Sequence, residues 1–164
     1  MIKIVPASIA DLPIIQKIAY KTWPICYADI ITKEQMDYML DQFYALDYLC
    51  KNIEKGHHFL LANEDETALG FASFEHNFKG QNKTHLHKIY MLPEAQGKGI
   101  GKMLIDKVEE FANENHSVSV SLNVNKYNKA LDFYTKIGFK IVADEVIDIG
   151  NDFIMDDFRM EKVL

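Results

Sequence analysis

The sequence predicts a mixed α/β fold, and three observations carry that prediction. Segments in which apolar and polar residues alternate are interleaved with segments whose apolar residues recur at helical spacing. Polar turns at Asn63–Thr67 and Lys79–Lys83 separate strand-like runs, the pattern of antiparallel neighbours. A strand-like run, a glycine-rich turn and a helix then follow one another over residues 85–112, which calls for a parallel crossover.

Ile2 to Val5 reads as a short strand. Asp11 and Pro13 start a helix through about Thr22, with Leu12, Ile15, Ile18 and Ala19 on one face, and Pro24 is expected to interrupt it. A second helix begins near Thr32, whose hydroxyl can cap it, and carries Met36, Met39, Leu40 and Phe43. A further helical piece spans about Asp47 to Ile53 and stops at Gly56. Strands follow at His58–Asn63, Ala68–His76 and Thr84–Met91. A helix runs from Ile100 to about Ala112, and Val118–Val124 alternates at strand period. A helix from about Asn128 to Ile137 ends at Gly138, and Phe139–Ile147 and Phe153–Lys162 pair as a closing hairpin.

Composition narrows the function. The 164 residues suffice for one domain with a sizeable core. Apolar content of 48% with 26% charged residues suits a soluble globular protein. A net charge of −6 argues against nucleic-acid binding through a basic patch and mildly favours cationic partners. Cys26 and Cys50 fit a reducing cytoplasm better than a disulfide framework, and Cys26 reads as a small buried hydrophobe rather than a nucleophile. With no long apolar run, signal peptide or lipidation motif in the sequence, no membrane association is expected.

Gln96-Gly97-Lys98-Gly99-Ile100-Gly101 is the most informative stretch. Glycines let a ligand approach the backbone, and the first N–H groups of the following helix have no internal partner. Together with the helix dipole they form a phosphate cradle. Neither nucleotide fingerprint fits: Ser or Thr is missing for a Walker loop, and a dinucleotide loop would need glycine where Lys102 or Leu104 stands. The residues Ile89 to Gly101 instead resemble the acetyl-CoA motif of the GNAT superfamily of N-acetyltransferases. Asn125 to Phe139, with Asn128, Ala130, Phe133-Tyr134 and Gly138-Phe139, resembles that family's second signature, with the asparagine six rather than seven residues before the tyrosine.

The resemblance implies a single N-acetyltransferase domain over residues 1–164, with helices on both faces of a central, mostly antiparallel mixed sheet. It implies acetyl-CoA as cosubstrate and no metal. Gln96, Gly97, Lys98, Gly99, Ile100, Gly101 and Lys102 would hold the pyrophosphate through backbone N–H groups. Ile89, Tyr90 and Met91 would pair with the pantetheine arm like an added strand, with the Tyr90 or Met91 backbone polarising the thioester carbonyl. Asn128 would contact the cosubstrate, and Tyr134 would protonate the departing thiolate.

An amine acceptor must shed a proton, so a base is needed, directly or through water. His85 and His87 lie two apart and share a strand face, and His85 falls where some family members carry a glutamate. Glu75 is a further candidate, and Asn123, replacing a carboxylate of other members, could orient a water. Each also reads as an ordinary sheet residue. His57, His58, His76 and His116 read as surface or turn positions, and no metal-ligand spacing is evident. Trp23, Tyr27 and Asp29, between two helices, either line a pocket for a cation or belong to the core and a solvated face.

The leading expectation is acetyl transfer to a small primary amine such as a polyamine. Acetylation of a peptide N-terminus or lysine, and a non-catalytic acyl-CoA sensor, are the alternatives. The odd strand count leaves an edge open to pairing in a homodimer.

Overall fold

The computed structural model describes residues 1–164. Its framework is one sheet of seven strands: β1 (Ile2–Pro6), β2 (His57–Glu64), β3 (Thr67–Glu75), β4 (Lys83–Met91), β5 (Ser119–Asn125), β6 (Lys140–Gly150) and β7 (Phe153–Val163). They lie in the order β1-β2-β3-β4-β5-β7-β6, with edges at β1 and β6. Every neighbouring pair is antiparallel except β4–β5, where the crossover helix connects parallel strands. This is the mostly antiparallel mixed sheet that the resemblance implies.

Helices α1 (Leu12–Cys26), α2 (Lys33–Phe43) and α3 (Leu46–Glu54) pack on one face, where Ile15, Leu49, Phe59, Leu61 and Phe71 form a core. Helices α4 (Ile100–Glu114) and α5 (Ala130–Lys136) pack on the other, where Leu86, Leu104, Ile105, Val120 and Leu122 form a second. Both faces are covered, which explains why Leu60, Leu61 and Ala62 on β2 are all buried rather than alternating.

Two helix boundaries differ from expectation. Helix α1 continues through Pro24 to Cys26. Proline removes one N–H donor, and two residues from a helix end that loss is small beside the packing of buried Thr22 and Trp23. Helix α5 starts at Ala130 rather than Asn128, because Asn128 Oδ1 accepts the Ala130 N–H at 2.9 Å and holds the chain in a turn. The Thr32 cap forms as expected, its hydroxyl accepting the Gln35 N–H at 3.1 Å.

One irregularity sets the direction of the strand that matters most. Ser73 on β3 stands opposite Lys88, but Phe74 stands opposite Leu86, so His87 has no partner and forms a β-bulge. His85 and His87 face the side of α1–α3, and the bulge puts Lys88 and Tyr90 on that same side. Tyr90 accordingly packs in the α1–α3 core while Ile89 and Met91 pack in the α4 core. Unbroken alternation would have exchanged them.

Close approach of β3 to β4 beyond the bulge depends on Gly70. A Cβ there would lie 2.9 Å from the Tyr90 carbonyl oxygen and 3.1 Å from Met91 Cβ. Backbone cannot yield as a side-chain tip can, so Gly70→Ala is expected to cost about 1–3 kcal/mol of unfolding free energy in denaturant titration.

Candidate active site

Strands β4 and β5 pair only from Lys83–Leu86 against Ser119–Leu122. Beyond that point β4 runs on to Met91 alone on this side, while β5 stays with β7 to Asn125. The strands splay, and the opening belongs to a cleft of about 1150 Å³ that continues over the glycine loop to the N-terminal helices.

At one end lies the loop. Gly97 and Gly99 have φ of +80° and +73°, in the left-handed region where a Cβ is strained. The first helical bond is from Met103 N–H to the Gly99 carbonyl, 3.1 Å, so the N–H groups of Ile100, Gly101 and Lys102 have no partner within the helix. Gly101 is glycine for space: a Cβ there would come within 2.9 Å of Met91 Cε and 3.2 Å of Phe133 Cζ. Ile100 is buried in the core and offers the cleft only its backbone. Gln96 lines the cleft, whereas the Lys98 and Lys102 ammonium groups pair with Glu64 and Asp106, each at 2.8 Å.

Along the splay, Leu92 N–H donates to the Leu69 carbonyl at 2.8 Å, and the Tyr90 carbonyl oxygen faces Gly70. Peptide groups alternate in direction along a strand. Those of Ile89 and Met91 therefore face the open side, and that of Tyr90 faces β3. Of the two backbones considered for the thioester carbonyl, Met91 has the free direction.

Tyr134 is buried on α5 and lines the cleft, and burial pushes its phenol well above the usual range. The structure treats the candidate bases differently. His85 is buried rather than half-exposed, its Nδ1 2.7 Å from Ser121 Oγ and its ring stacked on Phe78 at 4.0 Å. Burial, with nearby His87 and Lys83, lowers it to about 2. His87 Nε2 is 2.8 Å from Glu75 Oε1, and burial and Lys88 lower this ring to about 3. Rings so weakly basic accept an amine proton poorly at neutral pH. Asn123 donates to Glu145 Oε2 at 3.2 Å. Trp23 belongs to the core at 4% exposure, yet its edge lines the cleft beside Asp29. The Tyr27 hydroxyl is 2.9 Å from that of Tyr90, and burial raises Tyr27 to about 12. Cys26 is exposed, not buried.

Two residues were missed by the sequence reading. Asp157 on β7 lines the cleft at 6% exposure, and its Oδ1 has no hydrogen-bond partner. Burial raises it to about 6, the Asn123 amide partly opposes this, and Glu145 and Asp156 add to it. The sequence did contain a signal: an acid in step with Met155 on the inward phase of a strand. His57, read as a surface residue, is half-buried, its ring stacked at 4.2 Å on His87 and its Nε2 3.3 Å from Glu75 Oε1. Glu75 thus sits between two histidines, and the metal-type grouping that no sequence spacing revealed is made by three adjacent strands.

The chain belongs to the GNAT acetyltransferase family, whose domain model matches residues 27–163. It is 30% identical over 161 residues to a spermidine N(1)-acetyltransferase of Thermoplasma acidophilum, covering 94% of this chain and 96% of the relative. The PaiA N-acetyltransferase of the same organism, solved in complex with coenzyme A, superposes with a TM-score of 0.85 at 29% identity, covering 100% of this chain and 99% of that one. A peptidyl-lysine N-acetyltransferase of Escherichia coli, YjaB, is 31% identical over 93 residues, 56% of this chain and 55% of the relative. The protein is accordingly an N-acetyltransferase. No helix is long and apolar enough to cross a membrane.

Asp157 also makes a stability prediction. Its folded value of about 6 lies above the ordinary 3.8, so the folded state holds this proton more tightly than the unfolded chain does. That contribution is present below about pH 4 and is lost as pH rises to about 6. Asp157→Asn should remove on the order of 1–3 kcal/mol of this loss, seen as a flatter dependence of unfolding free energy on pH between 4 and 7.

Proposed function

We propose that this protein transfers the acetyl group of acetyl-CoA to a primary amine of a small molecule, of the polyamine class, by direct attack within a ternary complex. The observation that carries the reading is the buried Asp157 carboxylate, whose Oδ1 has no hydrogen-bond partner, in the same cleft as Tyr134 and the glycine loop. Two neighbouring charges are engaged: Lys83 pairs with Glu161 at 3.3 Å, and Arg159 lies 4.0 Å from Glu145. Asp157 is left to meet a cationic acceptor and, with a value of about 6, to take its proton directly or through a water. The 30% identity to a spermidine acetyltransferase along nearly the whole chain supports the same acceptor class.

The remaining groups divide the work. The free N–H groups of Ile100, Gly101 and Lys102 receive the pyrophosphate, and the left-handed Gly97 and Gly99 let it approach. Ile89 and Met91 offer their open peptide edge to the pantetheine arm, and the Met91 N–H polarises the thioester carbonyl. The amine nitrogen forms the new bond to the acetyl carbon as the carbon–sulfur bond breaks. Tyr134, kept protonated by its burial, donates to the departing sulfur.

Calorimetry with acetyl-CoA tests the first half. Wild type should bind, and Gly99→Glu should not, because the added carboxylate repels the pyrophosphate and the residue must hold a left-handed φ. Failure of wild type to bind removes the enzyme reading of the cleft. Steady-state assays with spermidine, a diamine and a lysine peptide test the second half. Tyr134→Phe should lower kcat about a hundredfold or more with little change in acetyl-CoA affinity. In wild type kcat/KM should rise with pH through about 6, and Asp157→Asn should lose that limb. Turnover of the peptide alone would move the acceptor class to protein lysines.

A further inference from the structure

We infer that His57, Glu75 and His87 form a binding site for a divalent transition-metal ion of the zinc type, set into the sheet beside the acetyl-transfer cleft. The three side chains come from the start of β2, the end of β3 and the bulge of β4, and their nearest ligand atoms all lie within 4.8 Å of one another. His57 Nε2 and His87 Nε2 both address Glu75 Oε1, at 3.3 and 2.8 Å. Two ligand atoms, each about 2.0–2.1 Å from a tetrahedral zinc ion, stand about 3.3 Å apart. The His57–Glu75 separation already has this value, and the His87–Glu75 separation reaches it by opening about half an ångström.

Two nitrogens and one carboxylate oxygen are a chemically suitable donor set for zinc. The imidazole rings stack at 4.2 Å with 7° between their planes, so their in-plane lone pairs run parallel and both rings turn about χ2 when they ligate one ion. Phe78 closes edge-on against the His87 ring at 5.4 Å. Strand backbone holds each ligand, so ordering them costs little. With the ring proton on Nδ1, which is buried and has no hydrogen-bond partner, Nε2 exchanges its 3.3 Å contact with Glu75 for a metal. The side chains keep 13, 26 and 20% exposure, enough for entry of the ion and for water as the fourth ligand. Glu75 supplies one negative charge and nearby Lys88 opposes it, so affinity should fall short of a four-ligand structural site.

The test is titration of the full chain, stripped with chelator, with zinc chloride by calorimetry. One equivalent should bind, with a rise in Tm. His57→Gln should weaken binding about tenfold or more, and His116→Gln, at an exposed turn, should leave it unchanged. Cobalt(II) gives a readout that needs no variant: one equivalent should develop the intense visible bands of a four-coordinate site. Absence of saturable zinc binding, wild-type affinity in His57→Gln, or only the weak bands of hydrated cobalt would each overturn the assignment.

Discussion

The structure depends on the place where β4 stops pairing with β5. Four residues of each strand are bonded, and then the strands part. A buried sheet does not leave peptide groups unpaired without compensation, since each costs free energy comparable to a lost hydrogen bond. At the cleft the unpaired edge is open to a ligand that can complete it. The glycine loop stands at the end of the same opening, so one interruption of the sheet brings an unpaired strand edge and the free N–H groups of a helix start into one cleft.

The bulge at His87 is the second constraint, and it acts by changing which side chains face which layer. It sends Tyr90 among Trp23, Tyr27 and Phe71, where aromatic contacts at 5.7, 6.4 and 5.9 Å tie the cleft wall to the N-terminal helices. It also turns Ile89 and Met91 towards α4, where Met91 meets the space left by Gly101. The site is thereby coupled to both cores.

Much of the fold was legible because the signals were local. Alternation marked the strands, Thr32 marked a helix start, and the glycine spacing selected one ligand class over two others. Helix α1 ran past Pro24 because tertiary packing outweighs one missing donor near a helix end. Asn128 was visible as a motif residue, but its role in closing a turn over Ala130 depends on backbone geometry that spacing does not express. The candidate site was half legible. The loop, Tyr134 and the β4 segment follow one another in short, recognisable runs. The acids and histidines of the acceptor side are brought together by pairings between distant strands, and no sequence window contains them.

The sequence by itself therefore determined most of the sheet-and-helix order, the glycine loop at a helix start and the motif that holds Tyr134, since each needs only neighbours a few residues away. Tertiary structure alone decided which titratable groups are buried and what they stand beside. His85 and His87 looked like bases from their shared strand face, and burial lowers the basicity of both rings. Asp157 looked like one acid among many, and burial raises it to about 6 against the opposing Asn123 amide. His57 looked superficial, and the register of β2 and β3 sets it against Glu75 and His87. Protonation and ligation respond to dielectric and to distance in space, and both are fixed only when the strands have paired.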